Sequence, residues 1–213
     1  MEIILAIFIV LIVVATVRSW FSYTRDREMR CLAEELDLEY DRGGASAITP
    51  ATRNLVGPGR RRINYTRNTL SGQYRGQRVS ATDFHISYLR AISIFQLVLP
   101  RPVPFLVIHP ERSNITRGLQ VEYGDISFES SEFSRKFRVK SRDKKFAYDV
   151  CHPRMIDFLL ANDDLTVQIK RDKLTLFFSR CLAPEMVKTN LDRLVEFREL
   201  MPEYLFSGRK RWN

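Results

Sequence analysis

The sequence predicts an α+β protein. An N-terminal transmembrane helix is followed by a mostly antiparallel sheet packed with helices, and the chain ends in a β-hairpin and a C-terminal helix. Three observations lead to this fold class: an uncharged apolar run opens the chain, short segments of alternating polarity joined by tight turns follow it, and the last third shows helical periodicity around one strand pair. Adjacent strands joined by short turns, with helices at the ends, are typical of antiparallel α+β domains. A chain of 213 residues can bury one core without disulfides or metals.

The first predicted element is a transmembrane anchor over residues 1–21. Its apolar run, Ile3–Val17, is fifteen residues long and would span about 22 Å as a helix, so its flanks must help to cover the roughly 30 Å of hydrocarbon. A cleaved signal peptide fits less well, because Glu2 replaces the usual positive n-region and Ala15–Arg18 is a poor cleavage site. All-round hydrophobicity also argues against a buried core helix.

The flanks of the apolar run predict its orientation. Basic side chains follow the run and none precedes it, so the positive-inside rule places the N-terminus outside and the domain on the cytoplasmic side. The basic residues concerned are Arg18, Arg25, Arg27 and Arg30.

Three further segments complete the predicted organisation. An amphipathic juxtamembrane helix over 22–37 is indicated by Met29, Leu32 and Leu36 at helical spacing. It either continues from the anchor or follows a short break. A soluble α+β domain over 38–206 comes next, and a basic tail over 207–213 closes the chain.

Turn and breaker residues divide the domain. Gly76 predicts a tight hairpin between strands at 68–77 and 78–86. Pro100, Pro102 and Pro104 predict a turn between two separate strands. The remaining predicted elements are strands Leu38–Tyr40, Ile92–Leu99, Phe105–His109 and Phe137–Lys140, helices at 145–150, 153–161 and 184–201, and a hairpin of Leu165–Lys170 with Lys173–Phe178.

Positive charge is the strongest compositional signal. The net charge is +9, and the span from Arg42 to Thr82 holds eight arginines and no acid. Such clusters attract phosphate-bearing surfaces, and each cation near an anionic bilayer can add about 1 kcal/mol. The alternative is that the arginines only keep the surface soluble. The predicted anionic-surface residues are Arg60, Arg61 and Arg62, together with Arg135, Lys136, Arg138 and Lys140, the last three of which alternate with apolar residues as on a strand.

Catalytic and metal-binding patterns are weak in this sequence. It has no glycine-rich phosphate loop, no G-x-S-x-G elbow and no H-E-x-x-H motif. The three cysteines, Cys31, Cys151 and Cys181, lack metal-ligand spacing, so no cofactor or metal is expected. Asp83 and His85 would share one face of a strand and could act in acid–base chemistry; the alternative is an aspartate that hydrogen-bonds to a turn.

The stretch Asn68–Gly76, followed by Val79 and Asp83–Phe84, and the later stretch Ser131–Val139 resemble an uncharacterised family of bacterial single-pass, N-terminally anchored membrane proteins. The resemblance covers most of the chain, although His85 stands where the family pattern has an aromatic residue. It implies a cytoplasmic α+β domain at the bacterial inner membrane, and it supplies no catalytic residues.

Three functions remain open at this stage. The first is a membrane-tethered interaction domain that binds a protein partner or anionic lipid through its arginines. The second is a membrane-associated nucleic-acid-binding protein, which would need exposed aromatic side chains among the basic ones; Tyr65, Tyr74 and Phe84 are the candidates. The third is an enzyme centred on Asp83 and His85, which would need a pocket around them.

Overall fold

The computed structural model describes residues 2–44, 65–87, 90–113 and 124–207. The elements follow in this order: α1 (Glu2–Glu35), β1 (Leu38–Gly44), β2 (Tyr65–Tyr74), β3 (Gln77–Ser87), β4 (Arg90–Pro110), α2 (Ser131–Lys136), β5 (Phe137–Ser141), α3 (Lys144–Val150), α4 (Pro153–Ala161), β6 (Thr166–Phe178), α5 (Pro184–Leu200) and α6 (Tyr204–Ser207). The α+β class and the mostly antiparallel sheet are confirmed.

The predicted transmembrane helix is wrong. Among the helices of the described ranges, none combines the length and the apolar character that crossing a bilayer requires. The segments predicted as anchor and juxtamembrane helix are parts of one helix, α1, which agrees with the first of the two predicted alternatives, a helix that continues without a break. Its apolar run, Ile3–Val17, amounts to only about 22 Å of helix, and the residues beyond it are rich in charge.

In the described part of the chain, one six-stranded antiparallel sheet forms the framework of the domain. The order is β1-β2-β3-β4-β5, and β6 pairs with β4 as well. Ile94 of β4 pairs with Thr82 of β3 and with Phe177 of β6. Further along β4, Ile108 pairs with β5 and again with β6. Since a strand has two edges, β3 and β5 share one edge of β4, and β6 occupies the other.

The three prolines do not separate two strands, as the sequence predicted. β4 runs through them without interruption for 21 residues. Its pairing with β6 shifts register between Val98 and Val103 and again between Val103 and Leu106. A proline cannot donate to a sheet ladder, but an irregularity in the ladder leaves positions where no donor is needed. The prolines therefore mark a bulged segment inside one strand.

The predicted hairpin around Arg171–Asp172 is also wrong, because β6 is a single strand of 13 residues. Arg171 has a positive φ of 58°, which is the local signal of a turn. Here it coincides with the register irregularity opposite Val103. A residue in the left-handed region can form a bulge as well as a turn, and the continuous partner strand β4 decides between them.

The paired strands β4 and β6 bend at this irregular segment. Ile94 and Val107 pack in one apolar cluster with Phe84, Ile92 and Phe177, although 13 residues of straight strand would separate them by about 43 Å. The strand pair therefore folds back, with this small cluster inside the bend.

The main core lies where α1, α3, α4 and α5 cover the sheet. α5 follows the prediction, with Pro184 in its first turn and its predicted apolar face buried: Val187, Leu191, Leu194, Val195 and Phe197. The second half of α1 buries Met29 and Ala33, while Leu32 and Leu36 pack on the same core. The predicted strand at 137–140 and helices at 145–150 and 153–161 are confirmed as β5, α3 and α4.

The hairpin at Gly76 is confirmed. β2 ends at Tyr74 and β3 begins at Gln77. Arg75 and Gly76 have φ values of 49° and 74°, the two successive positive values of a type I′ turn, whose twist matches that of paired strands.

Candidate functional site

A buried carboxylate, Asp83, lies where α1, the sheet and the loop before α5 meet. The side chain is fully buried on β3. Its Oδ2 accepts hydrogen bonds from Arg25 of α1 at 2.7 Å and from Asn68 of β2 at 2.9 Å. Its Oδ1 accepts one from the backbone N–H of Leu182, and the carbonyl of Leu182 in turn accepts one from Arg25. One carboxylate thus joins three separate elements.

A β-bulge places Asn68 in this cluster. Between Arg67 and Leu70 the pairing of β2 with β3 shifts, and Asn68 adopts a positive φ of 50°. Asparagine tolerates that conformation better than most residues, and a bulge re-aims a side chain. The Asn68 amide can therefore donate to Asp83 while its oxygen lies 3.0 Å from the Tyr40 hydroxyl.

A second carboxylate extends the network back to α1. The Tyr40 hydroxyl donates to Asp26 at 2.8 Å, and Arg30 and Arg42 lie 3.4 and 3.8 Å from the Asp26 carboxylate. Burial raises the pKa of Asp26, but the Tyr40 hydrogen bond and the two guanidinium groups outweigh it and hold that pKa below its usual range. Asp26 therefore stays charged. Two adjacent residues of α1 contact the sheet: Arg25 bonds to Asp83 and Asp26 bonds to Tyr40.

The chemistry of the cluster favours a structural role, the attachment of α1 to the sheet, over catalysis. Asp83 accepts hydrogen bonds from three donors, so both of its carboxylate oxygens are engaged within the fold. Burial lowers the pKa of His85, with Asp83 opposing and Arg67 and Arg25 reinforcing the effect, so His85 is neutral at pH 7. Burial, followed by the charge of Asp83, raises the pKa of the nearby Cys181 thiol. A protonated thiol is a poor nucleophile.

The sequence-predicted basic residues have mixed outcomes. Arg60, Arg61 and Arg62 lie outside the described residues. On β5, Arg138 and Lys140 point away from the buried Phe137 and Val139, as the alternation predicted. Lys136, which the sequence placed on the same strand face, is instead the last residue of α2. Their charges are shared with acids: Arg138 pairs with Glu111 and lies 3.8 Å from Asp125, Lys140 lies 3.6 Å from Asp125, and Lys136 lies 3.0 Å from Glu132. Arg135 is exposed at the end of α2.

The described arginines of the 42–82 span are spread over the sheet. Arg42 lies beside Asp26 of α1. Arg75, in the turn between β2 and β3, pairs with Asp192 of α5 at 2.8 Å. These two positions are at opposite ends of the β1–β2 pair. Among the residues that the structure describes, this span does not form one continuous basic face.

The aromatic residues proposed for nucleic-acid stacking are structural where they are described. Phe84 is fully buried and Tyr74 is nearly so, and the Tyr74 hydroxyl donates to Asp192 at 2.7 Å. The Tyr65 side chain lies outside the described residues. Two of the three candidates therefore offer no exposed ring on which a base could stack.

Cys151 and His152, adjacent in sequence, do not form a reactive pair. Burial raises the pKa of the Cys151 thiol, and the ring of His152 bonds to the Leu200 carbonyl at 2.8 Å. Within the described ranges, no group of three or more His, Cys, Asp or Glu side chains could hold a metal ion.

Comparisons with known proteins bear on the fold. No protein-family model and no curated protein matches the sequence. Among solved structures, the chain is similar to the crystal structure of the mycobacterial trehalose monomycolate transport factor A, TtfA, with a TM-score of 0.62 and 13% sequence identity. The match covers 87% of this chain and 98% of that chain. At this identity the likeness establishes a shared fold.

The residues that fasten α1 were missed at the sequence level. From sequence alone, Arg25 belongs to the charged flank of the predicted anchor and Tyr40 to a short strand. Asn68 carried the one available signal, since asparagine is depleted in strands and tolerates a positive φ. The contact between Asp83 and Leu182 has no sequence signal, because it uses backbone atoms of a residue 99 positions after Asp83 in the chain.

Proposed function

We propose that the protein is a non-enzymatic interaction domain that works beside a membrane, where the first half of α1 binds a helix of a partner protein. The proposal involves no membrane-spanning helix. The observation that carries it is the exposure of large apolar side chains on that half: Phe8 is 61%, Ile12 48% and Val13 52% exposed. Apolar side chains exposed together mark interaction surfaces.

The spacing of these residues favours a helical partner. Phe8, Ile12 and Thr16 recur every four residues, and Val13 lies beside them. The Thr16 hydroxyl donates to the carbonyls of Ile12 and Val13 at 3.0 and 2.9 Å, so its O–H donor is satisfied within α1. Rows of side chains at four-residue spacing form the ridges that pack into the grooves of another helix.

The attachment of α1 supports the same role. The exposed half continues without a break into the half that is fixed by Arg25 and Asp26 and buried at Met29 and Ala33. A partner bound to the first half would therefore hold the domain in a defined position. The shared fold adds support, since the similar structure is named as a transport factor; an accessory role in transport is the role this likeness favours.

Site-specific photocrosslinking tests the proposal. A crosslinking phenylalanine analogue is placed at position 8 or 12 of the full chain in cells of the source organism, and at Tyr148 or Tyr204 as matched controls, which are exposed aromatic positions on the folded domain. We expect one protein adduct of the same mass from positions 8 and 12 and none from the controls. Its yield should fall about fivefold or more when the neighbouring Val13 is changed to Asp.

The outcomes separate the alternative occupants. Mass spectrometry of the adduct identifies the partner, and the reciprocal crosslink from a helix of that partner must return this chain. Adducts with lipid alone would overturn the proposal in favour of a lipid surface. An adduct of twice the mass of the chain would overturn it in favour of self-association.

A further inference from the structure

A cavity of about 710 Å³ opens at the start of α5, and we refer to it as the α5 cavity. Ser93 and Phe178 line it from one end of the bent β4–β6 pair, and Pro110 and Ser113 from the other end. The bend brings these ends together. The volume lies within the range of roughly 300–1,000 Å³ that is usual for small-molecule sites.

Apolar side chains form part of the wall. Leu182 is buried, Phe178 is partly buried, and Met186 on α5 is 42% exposed. A large apolar side chain that is open to a cavity gains from any apolar group that covers it, at about 25 cal/mol per Å². The wall therefore favours a ligand with an alkyl portion.

Charged side chains of both signs line the same cavity. Arg112 and Arg180 supply the positive charge, and Asp163, Asp164 and Glu185 the negative charge. An anionic head group would meet three carboxylates, and a cationic one would meet two guanidinium groups. A neutral polyhydroxyl head group can donate to the carboxylates and accept from the arginines at once.

A buried amide adds to the polar lining. Asn190 is 4% exposed, and its side-chain oxygen accepts a 3.4 Å hydrogen bond from Arg193. Arg193 in turn lies 3.6 Å from Asp164 of the cavity wall. This arrangement holds a carboxylate and an amide in place on one side, which is the kind of fixed polar group that orients a ligand.

From these features we infer that the α5 cavity binds a neutral glycoside amphiphile, with the sugar among the charged side chains and the start of the alkyl chain against Met186 and Phe178. This goes beyond the proposed interaction role and does not depend on it.

The wall of the cavity is connected to α1. Leu182 lines the cavity, and its backbone N–H and carbonyl bond to Asp83 and Arg25 respectively. A ligand that orders this wall therefore also steadies the Arg25–Asp83 contact. Binding should slow hydrogen exchange both at residues 180–186 and at residues 24–30.

The test uses the full chain and three probes with the same twelve-carbon chain: dodecyl maltoside, laurate and dodecyltrimethylammonium, each below its critical micelle concentration. Calorimetry measures affinity, and hydrogen exchange locates the site. We expect saturable binding of the maltoside, with affinity about tenfold above that of either charged probe, and protection at residues 180–186.

Substitutions at exposed positions keep the test independent of folding. Arg180→Ala and Met186→Asp should each weaken maltoside binding about tenfold. Arg154→Ala, at an exposed arginine of α4 outside the cavity lining, should leave it unchanged. Equal affinity for all three probes, protection confined to the first half of α1, or indifference to both cavity substitutions would overturn the inference.

Discussion

Removal of the Asp83 carboxylate should destabilise the protein by about 3 kcal/mol, the lower part of the range for a broken buried ion pair. In Asp83→Ala, the buried Leu182 N–H and the Asn68 amide lose their acceptor, at about 1–3 kcal/mol for each buried group left unsatisfied. Arg25 also loses its partner, but its side chain is 32% exposed, so water can replace part of that interaction.

Asp192→Ala provides the matched control. Asp192 accepts from two partners, Arg75 at 2.8 Å and Tyr74 at 2.7 Å, where Asp83 accepts from three. Its side chain is 36% exposed, and exposed ion pairs contribute at most about 1 kcal/mol. The free energy of unfolding, measured by urea titration of the full chain, should therefore fall about three times as far for Asp83→Ala as for Asp192→Ala.

Hydrogen exchange would show where the loss occurs. Asp83→Ala should speed exchange at residues 24–30 of α1 and at residues 180–183, because the substitution releases both segments. The double variant Arg25→Leu/Asp83→Leu should cost less than the sum of its single changes, since neither charge is then left alone. Equal costs for the two alanine variants, with no change of exchange in α1, would refute the reasoning.

Three further outcomes follow from individual residues. Gly76→Ala should lower the free energy of unfolding, measured in urea, by about 1 kcal/mol, because φ is 74° at this position. The control Gly43→Ala has open space around its added Cβ and should change the free energy of unfolding by less than about 0.5 kcal/mol. Equal effects of the two substitutions would contradict the turn geometry. The pKa of His85 is lowered mainly by burial, so below about pH 6.5 the unfolded chain binds a proton that the folded chain does not. The free energy of unfolding should therefore decline as the pH falls from 7 to 5, and it should decline less steeply in His85→Asn. If both proteins lose stability in parallel, protonation of His85 does not contribute to the pH dependence. The last outcome concerns the variant in which four basic residues become alanine: Arg135, Lys136, Arg138 and Lys140. In vesicle flotation, its binding to anionic lipid should weaken less than about tenfold, because three of the four side chains already pair with acids. A larger loss of binding would show that these residues dominate the contact with lipid.

Local signals in the sequence were sufficient for most elements. Alternation of Phe137 and Val139 with basic residues fixed the faces of β5, Pro184 and the apolar spacing after it defined α5, and Gly76 located the hairpin. Each of these signals depends on residues within a few positions of one another. For the same reason, the α+β class followed from the order of the segments alone.

Tertiary structure decided the cases in which a local signal was ambiguous. The prolines of β4 and the positive φ of Arg171 are typical of turns, but two long strands that pair with each other convert both into bulges and bend the pair. The same bend brings Ser93 and Pro110 to one cavity. No short window of sequence contains this information.

The candidate sites show the same division. Sequence identified Asp83 as a notable acid on a strand, but its role depends on Arg25 and Leu182, which lie 58 and 99 residues away. The donors around a buried carboxylate decide whether it acts in catalysis or holds parts of the structure together. Only the folded chain brings those donors together. Composition and local periodicity therefore determined most of the elements of this protein, and long-range contacts determined the continuity of β4 and β6 and the role of the charged residues around Asp83.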